Sequence, residues 1–436
     1  MGDRTETEKM KTRDRVHHCY DNEEGLKRYE ELVNCLISIR DRMAGCHSFE
    51  SLIDSLASIG LTQKAISGIV HPPVSADLHL HSSYSDGSIP PRKLVWLAKI
   101  MGLEAIAITD HDSVSGLREA WGEGQKLNLM VIPAVELQTG RPGCEILCYF
   151  PNDLALFAWL DSERSVGFRN DLCQAQSWIH RTFSRVIHDV NRFLMEQGVR
   201  RSRLITVEEV AAWYSGQEPF CPGTLAILGF KRLPDKVRQS LHVSDPREFH
   251  TRVVTPALNR LAKEYGTEDR AEDQKRGLSR VFEHVEAIRS DGVQVVTVLA
   301  HPRELLTKGG MNREQIRAFA ETLVVDHGLN GVEVNNSRDS MEDTAYWVRM
   351  VSDIEDKLGW AAQGSRDSIL RFSYSSDAHM LDPGKASGEF TMAYGRLNEG
   401  ELYRCGNLIP VVPFRDLWRQ MKASNEHDRH QHIQSP

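Results

Sequence analysis

The chain has 436 residues, of which 40% are hydrophobic and 26% are charged, a composition that excludes a fibrous or largely disordered protein. Its formal net charge is -8, so the chain as a whole offers no positive field to nucleic acid or to an anionic membrane. A phosphate-bearing ligand would therefore be held by metal ions or by local arginines. No apolar run approaches the roughly 18 residues of a membrane span, which predicts a protein without a membrane anchor.

The cysteines and the first residues indicate a compartment. Eight cysteines are scattered along the chain without C-x-x-C pairs or the density of a disulfide framework, which suits a reducing environment. The start, MGDRTETEKMKTRDR, is charged and has no apolar core behind it,. We therefore expect a cytoplasmic protein.

Helical spacing of apolar residues marks the first part of the chain. Between residues 22 and 70, Leu32, Leu36 and Ile39 are among the apolar residues that recur every three or four positions,. We expect a helical extension over residues 1–73, ended by His71-Pro72-Pro73. Its apolar stripe should cover the rest of the protein or a second subunit, which makes it a candidate surface for oligomerisation.

Seven short apolar segments follow, and most of them end in His, Asp or Glu. We predict strands at Ala76–His81, Ala105–Asp110, Leu129–Leu137, Glu145–Phe150, Gln294–His301, Gly331–Asn335 and Arg371–His379,. Helical stretches such as Pro91–Met101 lie between several of them. Strands that alternate with helices predict parallel βα units.

A long segment interrupts this pattern and divides the chain. After Phe150 the sequence has helical spacing and no strand that ends in a metal-competent residue until about Val293. We therefore expect a first barrel part at 74–154, a mostly helical cap at 155–275, a second barrel part at 276–422 and a disordered polar tail at 423–436.

The first of the predicted strands carries a motif for metal binding. Successive side chains alternate between the faces of a strand, so Asp77, His79 and His81 share one face while Leu78 and Leu80 lie on the other,. Two imidazoles two residues apart can bind one ion. This short motif is weak by itself, because packing or surface histidines produce it as well.

Further metal-competent side chains lie at the carboxyl ends of other predicted strands. They are Asp110, His111, Asp112, Glu136, His301, Asp377 and His379. Each one taken singly can be an ordinary hydrogen-bonded polar group. As a set they lie at the carboxyl ends of strands, where barrel enzymes build their active sites, and independent packing residues would not share that location. The set therefore predicts a metal centre.

These motifs resemble those of a known family. The segments D-L-H-L-H-S-S-Y-S-D-G, A-I-T-D-H-D, L-A-H-P and S-D-A-H, in this order, are similar to the PHP family, the polymerase and histidinol phosphatase superfamily. The resemblance covers about residues 75–151 and 285–382. It implies an α/β fold, a distorted seven-stranded (β/α) barrel of PHP type, and a site for two or three divalent ions such as manganese, zinc or iron.

The resemblance also implies a role for each matched residue. His79, His81, Glu136 and Asp377 resemble the ligands of a first ion; Glu136 also bridges to a second ion that His301 binds; Asp86, His111 and His379 resemble the ligands of a third. Some alternatives remain. Asp86-Gly87 can be a simple turn, and Asp77 and Asp110 can be carboxylates that orient a ligand histidine.

The fourth strand departs from the family pattern. Relatives have a histidine where this chain, read back from Tyr149-Phe150, has Glu145. A carboxylate is a hard ligand, so the second ion either persists with a preference for manganese or magnesium or is lost. We interpret the flanking Cys144 and Cys148 as buried apolar residues and not as ligands,.

Such a site predicts hydrolysis of a phosphate ester by a metal-bound hydroxide. Within the family, the motifs and the long insertion look most like the branch that acts on nucleotides or trims short RNA. A histidinol-phosphate type of phosphatase is the alternative. The expected partner is therefore a small phosphorylated substrate or a short nucleic acid. Sequence signatures of serine hydrolases, P-loop enzymes and thiol enzymes are absent,.

A missing motif weakens the nucleotide assignment. The branch carries a motif like T-R-x-H in its insertion, and the best local match here, Phe220 to Leu225, has neither the arginine nor the histidine. Arg303, Arg141 and Arg169 are the candidate phosphate-binding replacements, although each is otherwise an ordinary surface arginine,. The changed fourth strand also leaves open a non-catalytic scaffold that binds metal and a partner.

Overall fold

The fold is known from a computed structural model. It describes residues 45–69, 76–87, 89–211, 222–244, 246–264, 269–336, 339–360, 369–372, 375–379 and 414–423, together with parts of 31–43. The first helical positions of the predicted extension, residues 22–30, and the polar tail from 424 onward lie outside the described residues.

All seven predicted strands are present, each at or near its predicted position. They are β1 (Ala76–Leu80), β2 (Ala105–Ile108), β3 (Met130–Gln138), β4 (Glu145–Tyr149), β5 (Val296–Leu299), β6 (Gly331–Glu333) and β7 (Leu370–Phe372). They form one sheet in chain order from β1 to β7. The last predicted strand is shorter than expected, because residues 375–379 leave the pairing with β6.

The expectation of parallel units throughout was wrong at one strand. β4 is antiparallel to both β3 and β5, while all the other neighbours are parallel. Only residues 139–144 connect β3 to β4, and a parallel crossover needs a dozen or more residues. The amino end of β4, not its carboxyl end, therefore lies at the edge where the parallel strands end.

The sheet curls so that its two ends approach each other. Beyond β7, Leu80 forms an isolated parallel bridge with Ala378. The amide of His81 donates to the carbonyl of Ala378 at 3.0 Å, and the amide of Asp377 donates to the carbonyl of His79 at 2.9 Å. The last described residues of the barrel are thereby held beside the end of β1, which brings residues from opposite ends of the sheet together.

Helices surround the sheet and fill the interval between β4 and β5. Those around the sheet are α1 (Phe49–Ala57), α2 (Gln63–Ile69), α3 (Pro91–Met101), α4 (Leu117–Leu127), α13 (Arg303–Thr307), α14 (Arg313–His327), α15 (Met341–Lys357) and α16 (Phe414–Ala423). Those of the interval are α5 (Asp153–Leu160), α6 (Val166–Glu196), α7 (Val207–Ala211), α8 (Pro222–Arg232), α9 (Asp235–Ser240), α10 (Pro246–Phe249), α11 (Thr255–Glu264) and α12 (Asp269–Ser290). Short helical runs at 34–36 and 41–43 precede α1.

Local sequence explains where several of these helices begin and end. α3 has the bounds predicted from sequence, with proline at its first position and Gly102 in the left-handed conformation after its last,. α14 and α15 each begin with a reciprocal capping box, made by Asn312 with Gln315 and by Ser340 with Asp343,. These caps satisfy backbone amides at the first turns of α14 and α15,.

The interval between β4 and β5 has a core of its own. Phe168 and Leu172, near the start of α6, pack in the same cluster as the outer face of β4, whereas Val186 and Val190 further along pack in a separate helical cluster. This agrees in kind with the expected helical insertion. The boundaries 155 and 275, and the role of a cap, stay predictions. In the described part of the chain, no helix combines the length and the apolar character of a membrane span.

The N-terminal helices pack on the barrel. Leu52, Leu56 and Ile66 are fully buried in the cluster that also contains residues of β1 and α3, and the rings of Phe49 and Trp96 lie 6.5 Å apart. The described part of the apolar stripe is therefore covered within the chain. Oligomerisation through another face of these helices stays a prediction.

Removing one of these buried leucines should lower stability without emptying the candidate metal site. We expect Leu56→Ala to cost about 2–5 kcal/mol of unfolding free energy, because it leaves a cavity between α1 and the barrel. Ion stoichiometry should not change, since every candidate ligand lies after Leu56. Calorimetric unfolding and metal analysis test this. Ile59→Ala, at a position that is 42% exposed, is the matched control and should stay within about 0.5 kcal/mol; equal losses in the two variants would contradict the packing argument.

Candidate metal centre

Four side chains that the sequence assigned to one ion converge at the end of β1. The Nε2 atoms of His79 and His81 lie 3.1 Å apart. Oε2 of Glu136, from β3, lies 3.3 Å from both, and Oδ1 of Asp377 lies 3.5 Å from the first and 3.1 Å from the second. Donor atoms about 3.4 Å apart are expected around a tetrahedral ion with bonds of about 2.0–2.1 Å. The four side chains therefore fit a common cation.

Charges within this group are balanced between carboxylates and imidazoles. Burial by itself would lower the pKa of His79, but the carboxylates of Glu136, Glu333 and Asp377 outweigh it and raise the pKa well above its ordinary value. Burial would raise the pKa of Glu136, but the imidazoles of His79 and His111 outweigh it and hold the pKa well below its usual range. The carboxylates thus stabilise positive charge at this place, which is what a cation site requires.

A second group shares Glu136. Oε1 of Glu136 lies 3.1 Å from Nε2 of His301, whereas Oε2 of Glu136 faces the first group. Oε2 of Glu145 lies 3.2 Å from the same nitrogen, and its Oε1 lies 3.8 Å from Nδ1 of His111. Glu145 reaches the mouth because β4 is antiparallel, which puts the amino end of that strand beside the carboxyl ends of its neighbours. The departure from the family pattern is therefore part of the cluster.

A third group lies on the other side of the first. Oδ2 of Asp86 is 3.2 Å from Nε2 of His379 and 3.6 Å from Nε2 of His111, and its Oδ1 is 3.5 Å from Nδ1 of His81. The rings of His81 and His379 stack with their centroids 4.2 Å apart. His111 faces two groups, since its Nδ1 is 3.1 Å from Oε2 of Glu136 in a geometry that forms no hydrogen bond.

The backbone at the mouth holds three residues in the left-handed region. Asp112, His301 and Asp377 have φ angles of 45°, 22° and 53°. Residues other than glycine adopt such angles at a cost and keep them where the surrounding structure imposes them, often at functional sites. Two of the three are members of the groups above, so the fold maintains an unfavourable backbone where it places donors.

Sequence reasoning missed Glu333, the last residue of β6. Its Oε1 lies 2.9 Å from Nδ1 of His79, and its Oε2 accepts a hydrogen bond of 2.7 Å from the amide of His301. A carboxylate on one ring nitrogen sets the tautomer that leaves the other nitrogen able to bind a metal. Glu333 lies within the predicted strand Gly331–Asn335 and is a carboxylate near its carboxyl end, and that was the available signal.

Asp77 and Asp110 hold the backbone around the site and not a histidine ring. Oδ1 of Asp77 accepts from the amide of Ser376 at 3.0 Å. The carboxylate of Asp110 accepts from the amide and hydroxyl of Ser82, each at 2.6 Å, and from the hydroxyl of Ser85 at 2.7 Å. These contacts hold backbone segments beside the donor groups, and an orienting role of Asp77 or Asp110 toward a ligand histidine stays a prediction.

The candidate arginines are engaged elsewhere. Arg303 lies with its Nε 3.6 Å from a carboxylate oxygen of Asp343. Arg141 stacks on the ring of Phe319 at 4.6 Å, and Arg169 donates to the hydroxyl of Ser165 at 3.0 Å. None of these contacts involves the donor groups. The three arginines as phosphate ligands stay a prediction.

The interpretation of the two cysteines beside Glu145 agrees with the structure. Cys144 and Cys148 are buried in the apolar cluster with Ile146 and Phe150, whereas Leu147 and Tyr149 lie in the other cluster. Burial raises the pKa of the two thiols to about 11 and about 12. Neutral buried thiols are poor ligands, which agrees with an apolar packing role.

Gly87 is required by the close approach of two chain segments. A Cβ atom there would lie 2.1 Å from the carbonyl oxygen of His81. Gly87→Ala should therefore displace the loop that carries Asp86, weaken the third group and cost about 1–3 kcal/mol of stability. Metal titration and thermal unfolding measure both effects. Gly122→Ala, in α4 with no atom within 4 Å of the new Cβ, is the control; a third group unaffected by Gly87→Ala would show that the loop can relax.

Comparison with known proteins finds a family match for part of the chain. Residues 77–190 match the model of the PHP domain family, and the match contains β1 to β4 with most of the donors of the first and second groups. Residues 77–190 are therefore similar to a PHP domain, and the curled seven-stranded sheet agrees with the α/β fold that the sequence predicts.

Curated relatives match over short segments that contain these motifs. A 5'-3' exoribonuclease of Haemophilus influenzae is 37% identical over 67 residues, which are 15% of this chain and 24% of the relative. A 3',5'-nucleoside bisphosphate phosphatase of Chromobacterium violaceum is 35% identical over 92 residues, 20% of this chain and 32% of the relative. The chain thus spans about a quarter to a third of the length of these relatives.

One solved structure aligns with this chain at a low score. A protein from Bifidobacterium adolescentis described as a metal-dependent phosphoesterase aligns with a TM-score of 0.46 and 17% identity, covering 78% of this chain and 98% of that one.

Proposed function

We propose that the protein is a metal-dependent phosphoesterase that hydrolyses a phosphate ester at the three donor groups. The observation that carries the proposal is the position of Glu136, whose two oxygens face different histidine sets, His79 with His81 on one side and His301 on the other. A carboxylate shared in this way suits two neighbouring cations. A non-catalytic scaffold has little use for three adjoining groups of donors.

The donor chemistry fits divalent ions. His79, His81, Glu136 and Asp377 would hold a first ion, Glu136, Glu145 and His301 a second, and Asp86, His111 and His379 a third. Divalent cations at such a site activate water for attack and neutralise the charge of phosphate oxygens. We propose two or three ions, with manganese favoured over zinc or iron at the second position because Glu145 adds a carboxylate there.

The chain's own residues prepare the site for this chemistry. Glu333 holds the Nδ1 proton of His79 and thereby directs Nε2 of that ring toward the first group,. Asp110 fixes the segment from Ser82 to Ser85 that leads to Asp86. Arg303, two residues after His301, would have to leave Asp343 to contact a phosphate,.

The proposed substrate is a nucleotide or a short oligonucleotide. The names of the exoribonuclease and bisphosphate phosphatase relatives support this class. Nucleotides and short oligonucleotides would present the same phosphoester chemistry to the metal ions. A small-molecule phosphatase of the histidinol-phosphate type is the alternative. We propose a cytoplasmic location, which the scattered free cysteines support,.

A substrate panel tests the proposal. The protein with added manganese should hydrolyse mononucleotides, 3',5'-bisphosphates or short 5'-phosphorylated oligoribonucleotides faster than amino-alcohol or sugar phosphates, and a chelator should remove the activity. A preference for the amino-alcohol phosphates would favour the alternative. Absence of bound metal and of hydrolysis across the panel would refute the proposed function.

A further inference from the structure

A buried carboxylate beside the second group has no role in the function described so far. Glu304 lies in α13 and is 6% exposed. Its Oε2 atom lies 3.8 Å from Nδ1 of His301 and accepts from Nζ of Lys308 at 2.5 Å. A carboxylate oxygen of Glu304 can also be grouped with one ligand atom each from Glu145 and His301 around a single ion.

The ring of His301 is incompletely satisfied in this arrangement. Its Nε2 atom lies within reach of Glu136 and Glu145, whereas its Nδ1 atom is buried and has no hydrogen-bond partner. A distance of 3.8 Å to Glu304 is too long for a hydrogen bond. An unsatisfied buried polar atom is costly, so a partner for Nδ1 would stabilise the site.

Binding of an ion changes which hydrogen-bond partner the ring of His301 requires. An ion on Nε2 of His301 would displace the proton that this nitrogen shares with Glu136, and the neutral ring would then carry its one proton on Nδ1 as a buried donor. Glu304 is the carboxylate on that side. A movement of about 1 Å would bring its oxygen to hydrogen-bonding distance. At the first group, the corresponding contact is already at hydrogen-bonding distance, because Nδ1 of His79 lies 2.9 Å from Oε1 of Glu333.

The backbone of Glu304 is fixed where this contact requires it. Gly143, at a φ of +72° in the connection before β4, lies so close that a Cβ atom there would be 2.3 Å from the carbonyl oxygen of Glu304. The same carbonyl accepts from the amides of Lys308 and Gly309 at 2.7 and 3.1 Å. The side chain can therefore adjust while its main chain stays beside the amino end of β4.

We propose that Glu304 is a positioning residue for the second metal position, where it accepts a hydrogen bond from Nδ1 of His301 when Nε2 of that ring binds an ion. This inference rests on the proposed function, because it requires an ion at the second group. Glu304 acts through His301 and need not touch the substrate. Lys308 offsets its negative charge in the absence of the ion.

Titration of the metal-free full-length protein with Mn²⁺ tests this role. Glu304→Ala should weaken the second ion by about 10- to 100-fold and leave the first ion's affinity unchanged. Glu304→Gln should lie closer to wild type, because its amide oxygen can still accept from Nδ1. The electron paramagnetic resonance signal of a coupled manganese pair should disappear in the alanine variant at an ion concentration that saturates the wild type.

Lys308→Met separates this role from simple helix stability. It removes the ion pair with Glu304 and keeps the carboxylate, so it should bind both ions like the wild type. If Lys308→Met reproduces the loss seen in Glu304→Ala, or if Glu304→Ala binds both ions normally, the positioning role is refuted while the proposed function stands. If the wild type binds no second ion, the two-ion site and the inference fail together.

Discussion

His79→Ala, His81→Ala and Asp377→Ala should each reduce hydrolysis by about 10³-fold or more. Each residue contributes one atom to the first group, at distances of 3.1–3.5 Å from its neighbours. Loss of one donor weakens the ion that stabilises charge in the transition state, a contribution of several kcal/mol. Turnover of a phosphoester in added manganese, together with the ion content of the purified protein, measures the effect.

Burial of these residues adds a second expected effect of the variants. At an open, solvated mouth, alanine in these positions would leave the fold nearly intact. His79, His81 and Asp377 are instead at most 1% exposed, and removing a buried imidazole leaves the carboxylates around it without compensation. We therefore expect lower thermal stability as well.

An isosteric variant and a surface variant separate the two effects. Asp377→Asn keeps the volume and removes the charge, so it should lose activity with a smaller loss of stability. His188→Ala, on α6 with a side chain that is 76% exposed, should match the wild type in both. Turnover at the wild-type rate in any of the three alanine variants would refute the assignment of the first group.

Glu145→Gln should weaken binding of the second ion by about 10²-fold, the upper end of effects known even for residues that only support a ligand. Oε2 of Glu145 lies 3.2 Å from Nε2 of His301, so an amide in its place keeps the shape and removes the charge. Hard ions lose most from this change, because they prefer anionic oxygen. The number of ions bound and the activity in manganese and in zinc measure the result.

Glu145→His provides the complementary test. Imidazole suits zinc and iron, so this variant should retain those ions better than the wild type and lose its preference for manganese. Glu314→Gln, at an exposed position of α14, is the matched control for loss of one negative charge. If both Glu145 variants equal the wild type in ion stoichiometry and rate, Glu145 is a bystander and the second group works without it.

Local pattern was sufficient where a residue's position follows from its own strand. The alternation that puts His79 and His81 on one face, and the limits of α3, depend on neighbours within a few residues. Most donors found from sequence lie near or just after the carboxyl end of a short apolar strand, and parallel strands of one sheet end at one edge,. The sequence alone was therefore sufficient to predict the seven strands and the donor set.

Contacts between distant segments decided the rest. Residues 254 apart along the chain, Glu333 and His79, become hydrogen-bond partners only because β6 and β1 lie in one curled sheet. The antiparallel direction of β4 brings Glu145 to the edge from the opposite end of its strand, and the approach of Gly143 to Glu304 depends on that hairpin. Hydrogen bonds and close packing act over a few ångströms in space, so the sequence determined which side chains can bind metal, and the tertiary structure determined which carboxylate supports which histidine.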